Sequence, residues 1–402
     1  MITLSIIIAL TIGGLTYMHT AEQFGDTPTT EELQRYAGSE QLKNGRFVNR
    51  HGVAMSMKAS TMTRAIKDMI TIPDQTPDDP LPVGFNTSSD YAVPDKGEFA
   101  VTWFGHSAVL LEIDGRRLLF DPSLSPRASP VPLFGKRFAT ETPIDLDRIP
   151  PLDAVLISHD HYDHLDHGTI TAIADRTQHF FVPLGVGNHL RRWGIADEKI
   201  TELDWWNESG IEGIDIISTP AQHFSGRSML DGNRTLWTSY VIRSESATLF
   251  FSGDGGYNDH FTLIGERFGP FDFTMMECGQ YGEGWREIHS MPEEAVQAHL
   301  DLRGDIMMPI HWGGFNLAPH RWKEPSERVR AAAAKHGVRI ALPMIGQRFI
   351  PARALPDWTP RTIAEPRTSA ADTGAASGTN PTADRAAVPA DNTSPAAVMT
   401  DR

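Results

Sequence analysis

The hydrophobic pattern changes texture three times along the chain. Residues 2–18, ITLSIIIALTIGGLTYM, are almost wholly apolar or hydroxylic. Residues 26–97 are polar and broken by proline, and their periodicity is confined to MTRAIKDMI at 62–70. From Phe99 the runs AVTWF, AVLLEI and RRLLF follow one another. Asp114-Gly115 sits between the last two and is a strong hairpin signal. Candidate buried strands then recur as DAVLIS (153–158), FFVPL (180–184), IDIIST (214–219), SYVIR (239–243), TLFFSG (248–253), FDFTMME (271–277) and DIMMPI (305–310). Helical stretches fall between some of them. One follows Asp166, a good N-cap; another opens with a capping box at Ser290–Glu293 and ends at Gly304; a third, SERVRAAAAKHG, has Gly337 as C′. From Pro351 the chain is rich in Ala, Pro, Thr, Ser and Asp, with too few large apolar residues to offset its ordering entropy.

This mixture predicts an α/β chain with two sheets and helices outside them. Four segments are expected: a hydrophobic N-terminal anchor or signal at 1–18, an N-terminal arm at 19–97 that wraps or precedes the main domain, the main domain at 98–350, and a disordered tail at 351–402.

Charge and cysteine usage narrow the chemistry. A net charge of -15 over 402 residues argues against nucleic acid as a partner, since that would ask for a basic patch. Cys278 is the one cysteine, so no intramolecular disulfide forms. A metal site would therefore be built from imidazoles and carboxylates, and 16 histidines supply the former. The apolar run at 2–18 is at the short end for a membrane span, and the first basic residue is Arg35, so the positive n-region of a signal peptide is missing. An anchor, an export signal and a buried helix are the three readings. The anchor is expected, with membrane association on either the cytoplasmic or the periplasmic side.

The densest chemistry is Ser158-His159-Asp160-His161-Tyr162-Asp163-His164, directly after the apolar run DAVLIS. Three histidines and two aspartates so close together cannot line a core, and strand ends are where open α/β folds place ligands. Three further strand ends repeat one grammar of apolar run, ligand-type residue and glycine or proline. IDIISTPAQ leads to His223, TLFFSG to Asp254 before Gly255-Gly256, and DIMMPI to His311 before Gly313-Gly314. Imidazole and carboxylate suit zinc, and two metals about 3.5–4 Å apart can share one hydroxide. The expected assignment gives His159, His161 and His223 to a first metal and Asp163, His164 and His311 to a second, with Asp254 bridging. Two Zn2+ are expected, with Mn2+ as the alternative. The bridging hydroxide is the expected nucleophile, because metal binding lowers the pKa of water to about 7.

HxHxDH followed by separated His, Asp and His resembles the metallo-β-lactamase superfamily. The resemblance implies an αβ/βα four-layer sandwich with the site at the edge between the sheets. A closer likeness lies outside these residues. The stretches VTWFGHSAVLLEIDG, FDPSLSPRASP, PPLDAVLISHDHYDHLD, TPAQH, GERFGPFD, HSMPEEAVQAH and PIHWGGFNLA, with NGRFVNR in the arm, are similar to N-acyl-phosphatidylethanolamine-hydrolysing phospholipase D. That similarity runs from about Gly45 to about Arg348. It implies that Tyr162 and His289 face the phosphodiester and amide of the substrate, and that Asp163, Asp254 and His289 belong to the catalytic set. The chain departs from the animal enzymes at Ile288, where they carry glutamine, and in the loop Glu283–Arg286.

The expected activity is hydrolysis of N-acyl-phosphatidylethanolamine-like phospholipids to phosphatidic acid and an N-acylethanolamine. A phospholipid substrate, a membrane surface and no nucleic acid are the expected partners, and a homodimer is allowed. A hydrolase of a soluble phosphate ester or lactone is the alternative within enzymes; a non-catalytic metal-binding protein is the alternative from another class. His106 is expected to support the site from behind the ligands, Asp121 and Asp160 to accept hydrogen bonds from ligand histidines, Trp205-Trp206 to be core, and His320 to be exposed.

Overall fold

The computed structural model describes residues 12–14, 16–53, 59–84, 91, 94–228 and 230–360. In the arm, β1 (Leu42–Lys43) and β2 (Arg46–Phe47) form a small antiparallel hairpin. A first sheet contains β3 (Phe99–Trp103), β4 (Val109–Ile113), β5 (Arg116–Phe120), β6 (Leu152–Leu156), β7 (Thr177–Pro183) and β8 (Ile200–Leu203). A second contains β9 (Glu208–Ile211), β10 (Ile214–Thr219), β11 (Ser239–Ser244), β12 (Thr248–Phe251), β13 (Phe271–Glu277), β14 (Gly304–Ile310) and β15 (Arg339–Ile340). The last strand, β16 (Arg348–Phe349), returns to the edge of the first sheet beside β3.

Each sheet begins as an antiparallel meander and continues as parallel strands. β3, β4 and β5 pair antiparallel, then β5 through β8 run parallel. β9 through β12 pair antiparallel, then β12 through β15 run parallel. Parallel strands need crossovers, and helices at 167–173, 187–192, 292–301 and 324–336 lie in those connections. The β4–β5 turn is Asp114-Gly115, both at positive φ, the two-residue geometry that matches the twist of a hairpin.

Alternation along the strands assigns the layers. Val109, Leu111, Leu118 and Phe120 join a core cluster shared with Ile216, Tyr240, Phe250 and Phe251 of the second sheet. Leu110 and Leu119, one residue out of phase, point to the other side and pack with Ile170, Ile173 and Leu190 from helices. The rings of Phe120 and Phe251 stack across the sheet interface at 4.8 Å. Helices 292–301 and 324–336 cover the far side of the second sheet through Ala295, Val296, Val329 and Ala332. The result is the expected four-layer αβ/βα sandwich.

The arm packs onto this domain. Thr29 caps the helix Thr30–Arg35 in a capping box with Glu32. Leu33 and Phe47 are buried with Trp205, Ala221, Leu236 and Trp237. Trp205 is thus core, as expected, and its indole N–H donates to the Trp237 carbonyl at 2.7 Å. The helix Ala59–Thr71 leaves Ile66 and Ile70 exposed.

Three expectations are corrected. Membrane association through 1–18 finds no support: no helix among the described residues is long and apolar enough to cross a membrane. Residues 1–11 and 15 lie outside the described residues. The end of the run packs on the domain instead, where the Tyr17 hydroxyl donates to the Pro130 carbonyl at 2.9 Å. The ordered chain also continues past Pro351, because Leu355 and Trp358 pack on the core and Trp358 stacks on Trp312 at 6.0 Å; residues 361–402 lie outside the described residues. The 292–301 helix has Met291 rather than Ser290 as its N-cap, and the Glu294 carboxylate accepts from the Met291 N–H at 2.9 Å.

Candidate metal centre

The carboxyl ends of β6, β10, β12 and β14 meet at one edge between the sheets. They deliver His159 to His164, His223, Asp254 and His311 respectively. Gly253 permits the approach of β12 to its neighbours. It sits at φ 58°, and a Cβ there would fall 2.7 Å from the Ser158 side chain and 2.8 Å from the Thr238 carbonyl.

The seven expected ligands converge. His159 Nε2 and His161 Nδ1 are 2.9 Å apart, and His223 Nε2 is 3.3 Å from His161 Nδ1. His164 Nε2 lies 3.5 Å from Asp163 Oδ2. Asp254 stands between these groups. Its Oδ2 is 3.1 Å from His164 Nε2 and 3.8 Å from both His159 and His223 Nε2, and its Oδ1 is 3.0 Å from His311 Nδ1. The ligand-type atoms fall into neighbouring sets that could each hold an ion: His159, His161 and His223; His106, Asp163, His164 and His311; and His159, His164 and Asp254.

An outer layer aims the rings. The His164 Nδ1–H donates to Asp121 Oδ2 at 2.7 Å, and Asp121 also accepts from the Ser158 hydroxyl and N–H. The His223 Nδ1–H donates to the Ile288 carbonyl at 2.8 Å, and His159 Nδ1 meets Ser158 Oγ at 2.9 Å. With Nδ1 committed in all three, Nε2 is the atom each turns inward. His106 Nε2 is 2.8 Å from Asp163 Oδ2, the supporting role expected of it.

The donor set fits a divalent cation. Among the described residues, His164 Nε2, Asp254 Oδ1 and His106 Nδ1 are buried polar atoms without a hydrogen-bond partner. Leaving such an atom unpaired costs about 1–3 kcal/mol, and a cation held by His164 Nε2 and Asp254 Oδ1 would remove the cost at those two. The charges point the same way. Burial opposes ionisation of Asp163 and Asp254, yet the neighbouring imidazoles together outweigh it, His164 and His106 at Asp163 and His164 and His311 at Asp254, and hold both carboxyls well below their usual range. Burial likewise opposes the His164 cation, but Asp254, Asp163 and Asp121 hold it well above the ordinary imidazole value. His159 and His223 lie well below that value, through burial and then neighbouring imidazoles. Without a cation, this much negative charge must be balanced by a proton.

Other expected residues sit elsewhere. Asp160 does not touch a ligand histidine: it accepts from the Gly226 N–H and Thr235 hydroxyl, each at 2.7 Å, and lies 3.2 Å from His189 Nε2. It thereby anchors the loop after His223. His320 is buried rather than exposed, accepting from the Gln280 N–H at 2.9 Å and stacking on Tyr281. The Tyr162 hydroxyl donates to the Arg227 carbonyl at 2.7 Å, with the Arg227 guanidinium 4.0 Å over the ring. That ring lines a cavity of about 330 Å³ with Gln23, Ser125, His167 and Arg227. His289 stands beside the centre, its ring 5.0 Å from that of His223 and 5.4 Å from that of His311.

Two residues at the site escaped the sequence reading. Glu277 ends β13, buried, with its carboxylate against His289 Nδ1. The same grammar marks it, an apolar run FDFTMM, an acid and then Gly279. Asn49, in the NGRFVNR stretch, hydrogen-bonds the backbone of His223. Nothing in its local sequence signals that contact.

Fold and site together define a metal-dependent hydrolase. Residues 116–312 match the beta-lactamase superfamily domain. The chain is 34% identical over 266 residues to N-acyl-phosphatidylethanolamine-hydrolyzing phospholipase D 1 of Caenorhabditis elegans, covering 63% of this chain and 74% of that protein. It belongs to the metallo-β-lactamase superfamily. It is also 47% identical over 261 residues to an uncharacterized protein of Mycobacterium tuberculosis, covering 64% of this chain and 70% of that protein. Among solved structures, Igni18, a metallo hydrolase of Ignicoccus hospitalis, is similar in fold with a TM-score of 0.50 and 22% identity, over 63% of this chain and 98% of that one.

Proposed function

We propose that this chain is a phosphodiesterase of phospholipase D type. It hydrolyses N-acyl-phosphatidylethanolamine-like phospholipids, releasing phosphatidic acid and an N-acylethanolamine. The observation that carries this reading is the pair of adjacent donor sets joined by Asp254. That arrangement suits two divalent cations side by side, the geometry that clamps both oxygens of a phosphoryl displacement. The name of the Caenorhabditis elegans relative supports the substrate class.

Zinc is the cation this proposal assigns, and when bound it would supply an activated water and neutralise phosphate charge. His159, His161 and His223 would hold one ion, Asp163, His164 and His311 the other, with Asp254 shared. Asp163 and Asp254 would hold the cations as carboxylates, and His164 would give up its proton to serve as a neutral ligand beside them. His289, beside the centre, would touch the phosphodiester. Tyr162 would reach the substrate only through the cavity it shares with Arg227.

The test is a mixed-micelle assay on N-acyl-phosphatidylethanolamine with zinc-loaded protein. Release of phosphatidic acid and N-acylethanolamine is expected. Turnover of a soluble nitrophenyl diester with none of the lipid would replace the lipid by a soluble phosphate ester. No turnover of either by fully loaded protein would sink the reading.

A further inference from the structure

A glutamate closed off from water at the end of a strand needs a reason. The Glu277 residue is 2% exposed, and burying a carboxyl is costly unless its lone pairs are used. Here both oxygens are used. One meets His289 Nδ1, and the other accepts from the Gly255 N–H next to Asp254. The Glu277 N–H donates to Ser252 Oγ at 2.9 Å, which fixes the strand end that carries the acid. Ser290 Oγ donates to the Gly255 carbonyl at 2.7 Å, so the residue after His289 is tied to the same loop. Polar atoms of Asp254, Glu277, His289 and His311 all lie within 4.8 Å of one another.

The His289 ring is therefore held from one side. Its Nδ1 is committed to Glu277, and Nε2 has no protein partner among the described residues. The side chain is 14% exposed, enough to meet a ligand in the cleft.

We infer that Glu277 is a positioning residue: its carboxyl locks the ring of His289 so that Nε2 faces the phosphodiester beside the metal centre. This rests on the phosphodiesterase reading for its substrate. It does not depend on that substrate being a lipid. The arrangement is the logic of a buried carboxylate that orients an imidazole for work at its other nitrogen. A glutamine there, with its oxygen on the Gly255 N–H, would turn its amide N–H to His289 Nδ1 and could no longer accept a proton from that nitrogen.

The experiment uses zinc-loaded full chain, with Glu277→Gln, His289→Ala and the double variant, on bis(4-nitrophenyl) phosphate and by proton NMR. Each single change is expected to lower kcat/KM about 10–100-fold with metal content unchanged, as for other residues that orient a working group. The double variant should be no worse than His289→Ala, since residues acting as one unit are not additive. Wild-type spectra should show one strongly deshielded proton for the Glu277–His289 hydrogen bond, absent from both single variants. Losses that multiply in the double variant would overturn the inference, as would spectra in which that proton survives His289→Ala or is missing from the wild type. If wild type fails to turn over any diester, the phosphodiesterase reading falls and the NMR arm alone decides the pairing.

Discussion

Asn49 brackets the backbone of His223. Its Nδ2 donates to the His223 carbonyl at 2.8 Å, and its Oδ1 accepts from the His223 N–H at 3.1 Å. The same Oδ1 accepts from the Trp237 indole N–H at 3.0 Å. A residue of the arm thus sets where one candidate ligand sits. Asn49→Ala should weaken zinc affinity about 10-fold or more, in the range seen when groups behind metal ligands are lost. Competition with a chromophoric chelator reads this directly, and unchanged affinity would show that the bracket is dispensable.

Asp121 plays a similar part from the opposite side. Asp121→Asn would put an amide N–H where His164 Nδ1–H or the Ser158 donors now find an acceptor. One donor would be left facing a donor. A drop of about 10–100-fold in metal affinity or kcat/KM is expected. Asp121→Glu should not restore it, because the contacts at 2.6–2.7 Å leave no room for an added methylene.

Metal removal should lower stability as well as activity. At free metal 100 times Kd, binding contributes about 2.7 kcal/mol. For a compact unit that runs to Thr359 this is roughly 4 °C in Tm for each ion bound. Chelation should lose this shift, and re-addition should recover it. His161→Ala should bind less than the full complement and show a smaller shift, measured by calorimetry with metal analysis. A wild-type Tm indifferent to chelator would mean that the seven residues hold no metal.

His299 predicts a pH dependence away from the centre. It is buried under β13, with Nδ1 2.8 Å from Thr274 Oγ1, and burial lowers its pKa to about 4. The folded state keeps it neutral while the unfolded chain takes up a proton near 6.5. Its contribution is therefore fully present above about pH 6.5 and is lost as pH falls from there toward 4, amounting to about 3 kcal/mol across that window. His299→Gln should flatten the denaturant-unfolding profile between pH 4 and 6.5 relative to wild type. Parallel profiles would mean that this histidine does not titrate on unfolding.

Phe251 stacks on Phe120 between the sheets, and β12 ends there, three residues before Asp254. Phe251→Ala should cost about 3–5 kcal/mol, the range for a large buried aromatic cut to alanine. Urea unfolding of the metal-free protein measures it apart from any effect at the site.

Much of this molecule was written locally. Strand candidates at 214–219 and 271–277 match β10 and β13 to the residue, because long apolar runs of β-branched and aromatic side chains have one stable use. Asp114-Gly115 marked its hairpin and Gly337 its helix end, since both need a positive φ. Of the two large sheets, the strands that escaped notice, β8, β9 and the two-residue β15 and β16, lie at sheet edges, where short or half-exposed segments carry little pattern. The seven converging residues were legible because each follows an apolar run at a strand tip.

What the chain order alone determined was therefore the set of elements and the residue types at their ends. Only the tertiary structure decided which distant groups meet. It set Asn49 on His223, Asp121 on His164 and Glu277 on His289, turned Asp160 away from the centre, and buried His320. The physical reason is range: periodicity and turn chemistry act over a few residues, whereas a hydrogen bond between residues far apart in sequence exists only once two sheets have closed on each other.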